Sequence, residues 1–87
     1  VKNKIELSDK ALIDKILDRM KDVFSSEELS TIDGVKISFE KERKWVHLRR
    51  SNTEPIIRIY AEAPAQADAE ALAQQVIGIA KGIIDKG

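Results

Sequence analysis

Eighty-seven residues, 43% hydrophobic and 34% charged, are enough for one small domain with a single core. Fifteen basic and fifteen acidic side chains cancel, which argues against a chain whose main task is coating nucleic acid or an anionic membrane. No cysteine is present, so disulfides and thiolate metal sites are excluded, and no apolar run approaches the ~20 residues a membrane-spanning helix needs. A cytoplasmic location is the expectation from this usage. The chain opens on Val1 rather than Met, which leads us to expect a piece of something longer.

Lys2 to Leu7 is a short, mostly polar run that fits an edge strand with Ile5 and Leu7 inward. From Asp9 the period changes. Leu12, Ile13, Ile16, Leu17, Met20, Val23 and Phe24 recur at helical spacing, and Ser8 or Asp9 can cap the first turn. The cluster Ser25-Ser26-Glu27-Glu28 ends that helix. Leu29 to Ile32 and Val35 to Phe39 flank Asp33-Gly34, a strong hairpin signal. Lys41 to Lys44 reads as a solvated turn. Trp45 to Arg49 is a further strand, with Val46 and Leu48 toward the core and Trp45, His47 and Arg49 on the open side.

Residues 50–55 form a loop, and Pro55 keeps Glu54 out of helical geometry. Ile56 to Glu62 is the last strand, carrying Ile57, Ile59 and Ala61 on one face and Arg58, Tyr60 and Glu62 on the other. After Pro64 comes an alanine-rich helix. Its stripe is Ala69, Leu72, Ala73, Val76, Ile77, Ala80, Ile83 and Ile84, and Gly78 and Gly82 weaken it. The order β-α-β-β-β-β-α predicts an α+β fold, a small antiparallel sheet with both helices packed on one face. Residues 1–87 then form a single domain.

The loop and its flanks, Arg-Arg-Ser-Asn-Thr-Glu-Pro-Ile-Ile-Arg over residues 49–58, carry the chemistry. If the two flanking strands pair, Arg49 and Arg58 both reach the open face near the loop mouth. Two guanidinium forks with Ser51, Asn52 and Thr53 would then converge on one phosphate, helped by backbone N–H groups of a tight turn. The same residues are also ordinary turn chemistry, and arginines on an open strand face are usually just solvated.

Residues 49–63, RRSNTEPIIRIYAEA, resemble the signature of the last domain of the α-D-phosphohexomutases. The core is Arg-x-Ser-Asn-Thr-x-Pro with a second arginine after it. The upstream TIDGVKISF and WVHLR are similar to that family's hairpin leading into the loop, and the likeness runs from about Asn3 to Ile84. Asn52 resembles the phosphomannomutase/phosphoglucomutase branch more than phosphoglucosamine mutase, where Gly is usual.

The resemblance implies a fold like one half-repeat of the TATA-binding protein, and a loop that grips the substrate phosphate not being transferred. Arg49, Ser51, Asn52, Thr53 and Arg58 would be the phosphate ligands, with Glu54 and Pro55 shaping the loop and Arg50 pointing away. It also implies that the phosphoserine, the aspartate-held Mg²⁺ and the sugar-recognition loop lie on three preceding domains. This chain would bind no cofactor and hold no catalytic residue of its own. Its partners would be the phosphosugar and those domains, with no nucleic acid or membrane involved.

Three residues outside the loop invite other functions. His47 stands beside Arg49 and could help neutralise phosphate, although a lone histidine on an open strand is more often exposed and idle. Trp45 and Tyr60 could stack bases, as in a small RNA-binding α+β module. Zero net charge, one aromatic per strand and no RNP-like motif stand against that. The same face would also suit a docking surface for a neighbouring domain.

Overall fold

A computed structural model describes residues 1–32, 34–51 and 54–86. Five strands and two helices follow in order: β1 (Lys2–Glu6), α1 (Ala11–Val23), β2 (Glu28–Ser30), β3 (Val35–Phe39), β4 (Lys44–Arg50), β5 (Ile56–Glu62) and α2 (Gln66–Lys86). One 3₁₀ turn, Glu40–Glu42, joins β3 to β4. The sheet is antiparallel throughout with strand order β1-β5-β4-β3-β2. The α+β architecture expected from the element order is therefore the one observed. β1 does not extend a meander from one end. It crosses over through α1 and the intervening strands to pair with β5.

Period-two alternation decides which face is buried. Val35, Ile37, Val46, Leu48, Ile57, Ile59 and Ala61 turn inward, and all are at most 3% exposed. Both helices press on that face and share one cluster with it: Ile13, Ile16, Leu17 and Met20 from α1, and Ala69, Leu72, Ala73, Val76 and Ala80 from α2. Phe24 and Phe39 close one end edge-to-face, with ring centroids 5.6 Å apart. Small alanines on α2 let its backbone sit close to the sheet. No helix among the described residues is long and apolar enough to cross a membrane.

Several boundaries shift from expectation, each for a local reason. Val23, placed on the apolar stripe of α1, is 43% exposed because the helix ends there and Phe24 takes the inward position. The Asp9 carboxylate accepts from the Ala11 N–H at 2.9 Å, as a turn before the helix, while the cap position itself is Lys10 with no side-chain cap. β2 spans Glu28–Ser30, so Ile32 falls past the strand and stands 98% exposed at the hairpin tip. Asp33 of the Asp-Gly signal lies outside the described residues. Gly34 has φ +72, the left-handed value such a turn requires. Leu7 leaves β1 but stays buried, its N–H donating to the Pro55 carbonyl at 2.8 Å.

Candidate phosphate-binding site

The register between β4 and β5 sets Arg49 directly opposite Arg58. Each stands on the face away from the helices, because Leu48, Ile57 and Ile59 beside them are fully buried in the core. Both side chains are exposed. Like charges facing each other across a non-local pair repel, so this arrangement is favourable when an anion sits between them.

The loop mouth is closed just beyond the pair. Ser51 N–H donates to the Ile56 carbonyl at 3.2 Å, and Ile56 N–H donates to the Glu54 carbonyl at 2.8 Å. Ser51 is thereby held at the first turn of the loop, half-buried, one register step past Arg50↔Ile57. Asn52 and Thr53, the other two residues expected to touch phosphate, lie outside the described residues. Arg50 turns to the opposite side and pairs with Asp14 of α1. That ion pair ties the strand to the helix layer and sets Arg50 apart from its neighbour Arg49, which stands on the open face.

Pairing on both sides of β5 brings together residues the sequence scatters. Lys4 of β1 is the partner of Arg58, so Lys4, Arg58 and Arg49 form one row across three strands. The next row holds Lys2, Tyr60, His47 and Lys36. A further step away, Trp45 lies opposite Glu62 and Ser38, and Ser38 opposite Glu28. A chain of zero net charge thus presents an open face that is basic at the loop end and acidic at the other. Lys4 was not legible as part of the site, since nothing in its own strand says which neighbour it pairs with.

Gly34 supports the site from the other flank. A Cβ there would come within 2.1 Å of the Leu48 carbonyl oxygen and 3.2 Å of the Arg49 Cα. The hairpin tip therefore packs against the backbone that carries Arg49, and only a glycine permits that approach.

Other surfaces differ in character. His47, Trp45 and Tyr60 are half-buried on the open face, and the Lys36 ammonium lies 4.7 Å from the Trp45 ring centroid, so one face of the indole is engaged by a cation. Beyond the acidic end of the sheet, Glu40 is hydrogen-bonded to Glu28, and that bond together with the Glu28 charge pushes the Glu40 carboxyl above its usual range. A cleft of about 580 Å³ lies between α1 and α2, lined by Lys15, Asp18, Arg19, Val23, Ile79 and Ile83, on the side of the sheet away from Arg49 and Arg58. Among the described residues no three His, Cys, Asp or Glu side chains cluster as metal ligands.

The profile described as "Phosphoglucomutase/phosphomannomutase, C-terminal domain" matches residues 3–79. A probable phosphoglucosamine mutase of Pyrococcus horikoshii is 39% identical over 91% of this chain and 17% of its own length. A phosphoglucosamine/phosphogalactosamine mutase of Sulfurisphaera tokodaii is 37% identical over 94% of this chain and 18% of its own length. A probable phosphoglucosamine mutase of Methanosphaera stadtmanae is 58% identical over a shorter stretch, 46% of this chain and 9% of its own length. The chain thus corresponds to less than a fifth of the relatives it matches. Their names lie on the phosphoglucosamine side of the family, whereas Asn52 alone leans to the other branch. The chain belongs to the phosphoglucomutase/phosphomannomutase C-terminal domain family.

Proposed function

We propose that this chain is the phosphate-gripping domain of a phosphohexomutase, an enzyme that interconverts hexose 1-phosphate and hexose 6-phosphate through a bisphosphorylated intermediate. Its task is to hold the phosphate that is not being transferred. The observation that carries this is the Arg49↔Arg58 cross-strand pair at the mouth of the 51–55 loop.

The chemistry follows from the side chains. Two guanidinium forks give several charge-assisted donors in a fixed plane, matched to a tetrahedral dianion. Ser51, with Asn52 and Thr53, adds neutral donors from the loop. In this reading all of these groups hold only the phosphate that is not transferred, so none is a catalytic residue. A bisphosphorylated sugar must turn around between two transfers, and a clamp that reads only phosphate accepts either end. Preceding domains would supply the phosphoserine, the Mg²⁺ and the sugar contacts. Closing this domain over their cleft would exclude water from the phosphoserine.

Charged hydrogen bonds net about 1.5–3 kcal/mol each, against an association cost of about 4–15 kcal/mol. The isolated chain should therefore bind a sugar phosphate at roughly millimolar strength. Titration of the ¹⁵N-labelled chain with glucose 6-phosphate, mannose 6-phosphate and glucosamine 6-phosphate tests this. Shift changes centred on residues 49–58 and the strand facing Arg58, with the same affinity for all three sugars, are the expected result. Saturable changes centred on the cleft between α1 and α2 would overturn it. The relatives' names favour a hexosamine phosphate as the sugar of the whole enzyme, and a tenfold preference for glucosamine 6-phosphate in this titration would mean that the clamp also reads the ring.

A further inference from the structure

We propose that Lys4 is a third cation of the phosphate clamp, parked on Glu6 when the site is empty and released to the anion when it is filled. This rests on the clamp function proposed above and extends it to a strand that the loop signature does not include.

Arg58 is the centre of the row, not its end. It has Arg49 opposite it on β4 and Lys4 opposite it on β1. Lys4 shares the open face with both arginines, since its neighbour Ile5 is buried at 6% exposure and pairs with core residue Ile57. A shallow depression lined by Lys2, Asn3, Lys4 and Arg58 lies at this point of the sheet. An anion seated over Arg58 is thus within one strand of Lys4, and a lysine stem spans that gap with its ammonium free to turn.

The Lys4 ammonium stands 3.5 Å from the Glu6 carboxylate, with side chains 58% and 74% exposed. Such a solvent-screened pair is weak, so a dianion flanked by two arginines outcompetes it. Glu6 lies one step nearer the loop end on the same face, opposite Ile56. It therefore holds Lys4 extended toward the loop mouth and offsets its charge when no phosphate is present.

The experiment is a titration of the 87-residue chain with inorganic phosphate at constant ionic strength, read by ¹⁵N shifts of residues 49–58. Thermal melts confirm that each variant is folded. Lys4→Gln should weaken binding about fivefold, Lys4→Arg should restore it, and Lys81→Gln on α2 should change nothing. Glu6→Gln should tighten binding, and only when Lys4 is present. Lys4→Gln binding as the wild type while Arg58→Gln loses binding would sink the Lys4 proposal and leave the clamp standing. Equal tightening by Glu6→Gln in the Lys4→Gln background would also sink it, because Glu6 would then act on the face at large. Wild-type binding unaffected by Arg58→Gln would remove the clamp itself.

Discussion

Arg49 and Arg58 face one another across β4 and β5. If they grip phosphate, removing either cation should cost the ligand far more than the fold. Arg58→Gln should melt near the wild-type temperature, while phosphate binding falls at least tenfold; calorimetric melts and titration read the two effects separately. Gly34 behaves the other way. A side chain there meets both a left-handed backbone and the Leu48 carbonyl at 2.1 Å, so Gly34→Ala should destabilise by about 2–4 kcal/mol in urea unfolding and shift the Arg49 amide. Glu40 gives a pH signature. Its folded carboxyl holds a proton more tightly than the usual 4.5 because Glu28 faces it. The folded state is thus favoured at low pH, and that advantage is lost as pH rises through the raised value. Glu40→Gln should accordingly raise the melting temperature at pH 7, with the gain vanishing below about pH 4.

The two helices do different work for the sheet. α1 is short and amphipathic, and its Asp14 reaches the Arg50 side chain, so it both covers β3 and holds Arg50 on the helix side of the sheet. α2 is long and alanine-rich, with its glycines on the solvent side. A Cβ at Gly78 would meet nothing within 4 Å, and the residue is exposed. Gly78→Ala should stabilise by about 0.5–1 kcal/mol, measured as a higher urea midpoint with an unchanged slope. The β4–β5 hairpin is the element that makes the site. Its loop closes through Ser51 N–H to the Ile56 carbonyl and is pinned from outside by Leu7 N–H on the Pro55 carbonyl. The residue that follows β1 thus anchors the loop, while β1 itself lends its cations to the face.

For the whole molecule, a radius of gyration of 12.2 Å equals the roughly 12 Å expected of a compact chain this long. A domain so small has a total stability of about 5–10 kcal/mol, so single core residues matter. Ile16 is fully buried where α1 meets the sheet. Ile16→Ala should cost about 2–5 kcal/mol, a large share of that stability, and lower the melting temperature markedly, as followed by circular dichroism. The uneven charge of the open face has a further consequence. With cations gathered at the loop end, phosphate binding should weaken as salt is raised even though the chain is neutral overall.

Much of this was legible in the residues because the physics involved is local. Period-two alternation in 35–39, 45–49 and 56–62 places Arg49 and Arg58 on the face opposite Leu48 and Ile59, and the 3.6-residue stripes identify both helices. Turn chemistry likewise locates the hairpins at Asp33-Gly34 and at residues 50–55, although Arg50 proves to be the last residue of β4. Strand order is not local. That β1 crosses to pair with β5, setting Lys4 beside Arg58, depends on which edge α1 leaves open once it packs on the sheet. The close approach of Gly34 to Leu48 and the turning of Val23 and Ile32 to solvent are decided the same way, by how the elements fit together. Local periodicity thus settles which side chains share a face, and the packing of the layers settles which faces, and which cations, meet.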